Sequence, residues 1–142
     1  MIITVRCLVH PTEDVERVKA SIETHLGKIP IKVVEHSKLI ELTSSNVNRE
    51  ILSTVRQLIH EKRILAAVRT RLLKNYNDLD YTTSIHLDKQ AAYVGKLRVV
   101  DNDVETPPLG SIEIHIVFET GHQFEEFLDW FSPRTKDGKV IT

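Results

Sequence analysis

Between Gly110 and Gly121 every second residue is apolar: Ile112, Ile114, Ile116 and Phe118 alternate with Glu113, His115, Val117 and Glu119. A period of two belongs to a β-strand with one buried face and one wet face. A helix would scatter the same isoleucines around its circumference. The chain must therefore build a sheet whose one face is covered. The same period recurs at the N-terminus, where Ile3, Val5, Cys7 and Val9 alternate with Ile2, Thr4, Arg6 and Leu8, and over 82–87, where Ile85 and Leu87 alternate with Ser84, His86 and Asp88.

Helical stripes between these strands supply the cover. Val15, Val18, Ile22 and Leu26 share one side of a helix, with Thr12 as its N-cap, Glu13 and Asp14 suited to the positive end of its dipole, and Gly27 as its stop. Residues 31–44 read either as one strand or as a strand pair turning at Glu35, His36, Ser37 and Lys38. Ser45 or Asn46 caps the next helix, whose apolar positions are Val47, Ile51, Val55, Leu58 and Ile59. Its phase slips at Lys62 and Arg63 and resumes at Ile64, Leu65, Val68 and Leu72, so two helices meet in a turn near 60–62. A short helical turn after Leu87 leads to a strand over 95–100, with Leu97 and Val99 on one side. Pro107-Pro108-Leu109-Gly110 then breaks the chain before the isoleucine strand. The last helix buries Phe124, Phe127 or Leu128, and Phe131, and stops at Ser132-Pro133. This order gives a two-layer α+β fold, a mainly antiparallel sheet with helices packed on one face. A chain of 142 residues is of ordinary size for one domain, here 1–142 with a basic C-terminal tail at 133–142.

Several functions are excluded or left without support. The longest aliphatic run, 64–68, is too short to cross a bilayer, and no signal peptide is recognisable, so the expectation is a cytoplasmic protein with no membrane contact. One cysteine, Cys7, permits neither an intramolecular disulfide nor a cysteine zinc cluster, and its phase with Ile3, Val5 and Val9 makes it a core thiol. No Walker A loop, GxGxxG, HExxH, GxSxG or EF-hand loop occurs, so no catalytic residue, metal or cofactor is assigned. His86 and His115, with Asp88 or Glu113, lack the convergence of a metal site. Asp101, Asp103 and Glu105 read as a solvated loop, and Trp130 as a partly buried residue at the end of the last helix.

The formal charge of -1 conceals an asymmetry. Residues 49–98 hold 10 Lys+Arg against 5 Asp+Glu, whereas 99–131 hold 8 acids and no Lys or Arg. Such a division signifies a basic binding face with an acidic back, or two regions that pair within the fold or across a dimer. Between Glu61 and Asp78 stand five bases and no acid, and helical phasing places Arg63, Arg71 and Lys74 opposite the apolar stripe.

The segments LDKQAAYVGKLRV at 87–99, PLGSIEI at 108–114 and LDWFSPRTKDGK at 128–139 resemble the archaeal uncharacterised protein family numbered 0201 in the UPF series, and the resemblance spans almost the whole chain. Asp88 stands where that family is expected to carry Asn. The resemblance implies a fold like that of the large-subunit ribosomal protein that binds 5S RNA, and an RNA partner; it brings no catalytic residue. On this reading the leading expectation is a non-catalytic module that recognises structured RNA. Its basic face would comprise Arg63, Arg69, Arg71 and Lys74, extended by Lys89, Lys96, Arg98, Arg134 and Lys136. Tyr76, Tyr81 and Tyr93 are the only aromatic residues in the basic region, which favours shape recognition over single-strand reading. The alternatives are a homodimer pairing the basic segment of one copy with the acidic segment of another, and, behind it, an enzyme for a phosphorylated substrate held by Lys89, Arg134 and Lys136 with a histidine as base.

Overall fold

Alternation becomes an antiparallel sheet in the computed structural model, which describes residues 1–46, 48–137 and 139–141. Five strands, β1 (Ile2–Val9), β2 (Lys32–Glu35), β3 (Ile40–Asn46), β4 (Thr82–Asp88) and β5 (Ser111–Val117), lie in the order β2-β3-β1-β5-β4. Each neighbouring pair is antiparallel. Residues 31–44 thus form a strand pair, closed by a turn in which the His36 N–H donates to the Leu39 carbonyl at 2.8 Å.

Ile3, Val5, Cys7 and Val9 join Leu42, Ile85, Leu87, Ile112, Ile114 and Ile116 on the covered face, all buried. Helices α1 (Val15–Leu26), α2 (Ser53–Glu61), α3 (Leu65–Lys74), the short α4 (Lys89–Tyr93) and α5 (Gly121–Phe131) enclose it. Val18, Ile22 and Leu26 of α1, Val55 and Ile59 of α2, and Val68 and Leu72 of α3 join the strand side chains in one continuous core. In α5 both Phe127 and Leu128 are buried with Phe124 and Phe131, because the aromatic positions wrap more than one stripe.

Four local expectations need correction. Asp14, not Thr12, caps α1, its carboxylate accepting the Glu16 N–H at 2.9 Å, because Thr12 lies inside the turn that leaves β1, closed by the Glu13 N–H on the His10 carbonyl. Neither Ser45 nor Asn46 caps the following helix: β3 runs through Asn46, and Asn48 caps a 3-10 turn (Arg49–Leu52) that leads into α2. Val47 and Gly138, given roles in a helix and in the tail, lie outside the described residues, as does Thr142. The segment 95–100 makes a single bridge, Leu87 to Val99, against the outer edge of β4 instead of a full strand. Within the expected tail, β6 (Thr135–Lys136) and β7 (Lys139–Val140) form a small hairpin, with Ile141 N–H donating to the Arg134 carbonyl.

Among the described residues, no helix covers the opposite sheet face. Lys32, Thr43, Arg6, Glu113 and His86 follow one another across it in a row from β2 to β4. Its two edges differ: the bridge at Val99 covers part of β4, while β2 is a four-residue edge bounded by Lys32 and Glu35.

Candidate nucleic-acid interface

The expected basic face does not assemble as one surface, because four of its nine cations, Arg69, Arg71, Lys89 and Arg98, already have anionic partners. Arg71 is 4% exposed; its Nη1 donates to Asp103 Oδ1 at 2.7 Å, and its Nε lies 3.6 Å from Asp101 Oδ1. The 101–103 segment folds against the C-terminal end of α3 and covers Arg71, so this residue does not project into solvent with Lys74. Arg98 donates to Asp88 Oδ2 at 2.8 Å and also pairs with Glu105. Arg69 bonds Asp129 Oδ1 and the Ser132 carbonyl, each at 3.0 Å. Asp101, Asp103 and Glu105 are accordingly ion-pair partners and not merely solvated. Asp103 and Glu105 are held below the usual carboxyl range, first by the bonds from Arg71 and Arg98 respectively.

Lys89 departs furthest from expectation. It is completely buried, and its ammonium donates to the Leu8 carbonyl at 2.7 Å and to Glu13 Oε1 at 2.9 Å. Burial alone would raise the Glu13 carboxyl, but the bonds from the His10 N–H and from Lys89 outweigh it, and the group is held low. Tyr93 also donates to Glu13, and burial followed by that bond pushes its hydroxyl up to about 12. A cation so enclosed has no donor left for an external phosphate. Arg134 instead lines a groove between α3, α5 and the C-terminal hairpin with Arg69, Leu73 and Tyr76, so Lys89 and Arg134 do not converge in one pocket.

The other binding groups expected from sequence fare similarly. Tyr76 stacks on Phe124 with ring centroids 3.8 Å apart. Trp130 lies beneath the guanidinium groups of Arg49 and Arg56, at 4.4 and 5.1 Å. Cys7 is buried, and desolvation pushes its thiol up to about 11. Although His86 and His115 lie on paired strands, no group of three or more His, Cys, Asp or Glu able to hold a metal occurs among the described residues.

Six bases of this segment have no ion-pair partner among the described residues: Arg49 and Arg56, which lie over Trp130, and Lys62, Arg63, Lys74 and Lys96, all four exposed. Two of these, Lys62 and Lys96, belong to residues that act on the buried His25 near the end of α1. The His25 Nε2–H donates to the Lys96 carbonyl at 3.1 Å, and the Lys62 charge acts on the same ring. Arg63 follows Lys62 in the α2–α3 turn, where its φ of 56° marks the left-handed corner that separates the two helices. Lys28 stands three residues beyond His25, also exposed. Lys74 lies at the far end of α3, about 15 Å along the helix from Arg63. Sequence reading missed Lys62 and Lys28; the available signal was the phase slip itself, since a pair of bases at a helix corner faces solvent.

His25 makes this corner sensitive to acid. Burial, and then Lys62, lower its pKa, against the opposing bond to Lys96, and Nδ1 has no partner among the described residues. The folded protein therefore holds the ring neutral while the unfolded chain protonates it, so stability falls as pH drops below the ordinary imidazole value of 6.5. His25→Gln is expected to flatten the stability profile between about pH 7 and pH 5, followed by urea denaturation at each pH. An unchanged slope would refute the assignment.

Relatives match nearly the whole of this chain. A UPF0201 protein of Metallosphaera sedula is 34% identical over 139 residues, covering 98% of this chain and 92% of the relative. The chain belongs to the UPF0201 family. A second member, from Aeropyrum pernix, is 32% identical over 98% of this chain and 89% of its own. The crystal structure of a UPF0201 protein from Methanococcus jannaschii superposes with a TM-score of 0.84 at 25% identity, over 100% of both chains. The family model that matches residues 2–119 is described as RNA binding. Lys28, Lys62, Arg63, Lys74 and Lys96 lie inside the matched span; Arg134, Lys136 and Lys139 lie beyond it.

Proposed function

We propose that this protein is a non-catalytic RNA-binding module that contacts structured RNA through the corner formed by Lys28, Lys62, Arg63 and Lys96. The observation that carries this reading is the clustering of exposed bases at this corner, within the span described as RNA binding, while Arg69, Arg71, Lys89 and Arg98 are engaged by Asp129, Asp103, Glu13 and Asp88 inside the fold. Phosphate contacts dominate such affinity and make it fall steeply with salt. With Tyr76 stacked and Tyr93 bonded to Glu13, recognition rests on the shape of the RNA backbone instead of a row of stacked bases.

Fluorescence anisotropy with a labelled RNA hairpin tests the reading. Lys62→Glu with Arg63→Glu is expected to abolish binding at low salt. Lys62→Ala alone should reduce the slope of log affinity against log salt by about 1. Arg134→Glu with Lys136→Glu, outside the matched span, should leave the hairpin affinity close to that of the unaltered protein. Binding that survives the Lys62 and Arg63 reversal, or that is lost with the C-terminal pair instead, overturns the assignment.

The charge division offers no comparable support for a dimer built from basic and acidic segments. Arg69, Arg71 and Arg98 reach Asp129, Asp103 and Glu105 within one chain.

A further inference from the structure

The helix-free sheet face is open along most of its width, but at its β4–β5 end the connection between α4 and β5 folds against it. Arg6, His86, Ser111 and Glu113 of the sheet and Asn102 and Pro107 of the connection bound a cleft of about 230 Å3. That volume is below the usual range for drug-sized ligands, and suits a single ring system.

The polar groups in the cleft select among ligand classes. Arg6 spends Nε on Glu41 at 2.7 Å and Nη1 on Glu113 at 3.2 Å, which neutralises it toward a phosphate and leaves Nη2 without a partner among the described residues. Glu113 is left with Oε1, 4.0 Å from His86 Nδ1. Asn102 uses its carbonyl oxygen to accept from Arg71 and Asn75, so its amide hydrogens are free of protein acceptors. Burial, then the Arg71 charge, lower the His86 pKa against the pull of Glu113, and the neutral ring offers one donor and one acceptor. Its contacts to Ser111 Oγ at 3.3 Å and Ser84 Oγ at 3.5 Å are long, leaving it open to a better partner. Donors and acceptors therefore alternate around a small space with no net excess of positive charge. A phosphate finds its arginine already occupied, and an apolar ligand would strand these groups unpaired.

We propose that this cleft binds one unpaired nucleobase, recognised along its hydrogen-bonding edge by Arg6, His86, Asn102 and Glu113. The base belongs either to an RNA, in which case the proposal extends the RNA reading, or to a free nucleoside, in which case it stands apart from it. Bases taken out of a stack are read in this manner, by hydrogen bonds to their edges within a fitted pocket.

Saturation-transfer NMR with adenosine, guanosine, cytidine and uridine provides the test. At least one nucleoside should receive saturation and shift the His86 ring resonances of the unaltered protein. Thr106→Trp, which fills the cleft from an exposed position in the connection, should abolish both effects. Silence from all four nucleosides, unmoved His86 resonances, or an undiminished signal in Thr106→Trp overturns the proposal. An RNA source is indicated if a hairpin with one unpaired loop base binds about tenfold or more tighter than the nucleoside and loses that gain in Thr106→Trp. Equal affinity indicates the free nucleoside. Lys62→Glu with Arg63→Glu should weaken the hairpin without touching nucleoside binding, so failure of the RNA reading and failure of the cleft remain distinguishable.

Discussion

Replacing Lys89 with methionine is expected to destabilise the protein by about 3 to 5 kcal/mol, the usual cost of removing one partner from a buried ion pair. The side chain keeps its approximate length, but the Glu13 carboxylate, 5% exposed, loses its cation while remaining enclosed by His10 and Tyr93. The Leu8 carbonyl loses a donor as well. Thermal unfolding should shift down by roughly 10 °C or more. Because the folded Glu13 pKa lies below its unfolded value, the ion pair contributes fully above the ordinary carboxyl value of 4.5 and is lost as pH falls through the lower folded value. The gap between the unaltered protein and Lys89→Met should therefore narrow in acid. Adding Glu13→Gln to the variant should recover part of the loss at neutral pH, since no uncompensated charge stays buried. A double variant as unstable as the single one would show that packing around Lys89, and not charge, sets the cost.

Phe127→Ala should cost a similar amount, about 3 to 5 kcal/mol. Phe127 is 2% exposed and stands at the centre of the aromatic layer, with ring centroids 5.5 Å from Phe118, 5.4 Å from Phe131 and 6.0 Å from Trp130. Its removal opens a cavity that three rings cannot close together. It also loosens α5, which supplies Asp129 to Arg69 and carries Trp130 beneath Arg49 and Arg56. Urea denaturation should show a lower midpoint, and Phe127→Leu should recover much of it. A cost below about 1 kcal/mol would mean that the layer repacks around the gap.

Elements set by local pattern were legible in the sequence. The alternation at 112–118 fixes which face of β5 is buried, because side-chain direction in a strand follows from parity alone. The phase slip at Lys62 and Arg63 identified the corner between α2 and α3 without any knowledge of what packs there. Helix caps were harder, since Thr12 and Asp14 are both competent and the choice depends on how the chain leaves β1.

The interface was only partly legible. Arg71 and Asp103 are 32 residues apart and Lys89 and Glu13 are 76 apart, so their pairing exists only once the layers have met. A helical projection shows which way a base points from its own helix, but not that an acidic loop will fold across it. For Lys89 one hint was available: it precedes Ala92 by three positions in α4, and both are buried, which is the spacing of one inward helix face. The charge counts were correct; pairing within the chain was one of the readings they allowed, and the fold adopts it.

The unequal edges of the sheet bear on how the molecule behaves in company. A strand edge is a template on which another chain can crystallise its own backbone, and long flat edges invite aggregation. Here one flank is partly occupied by the bridge at Val99, and the other exposes four residues ending in Lys32 and Glu35. A stranger docking on β2 would gain only a few backbone bonds before meeting charge at either end. The sheet can thus leave most of one face without a helical cover while giving neighbouring chains little purchase for fibre growth.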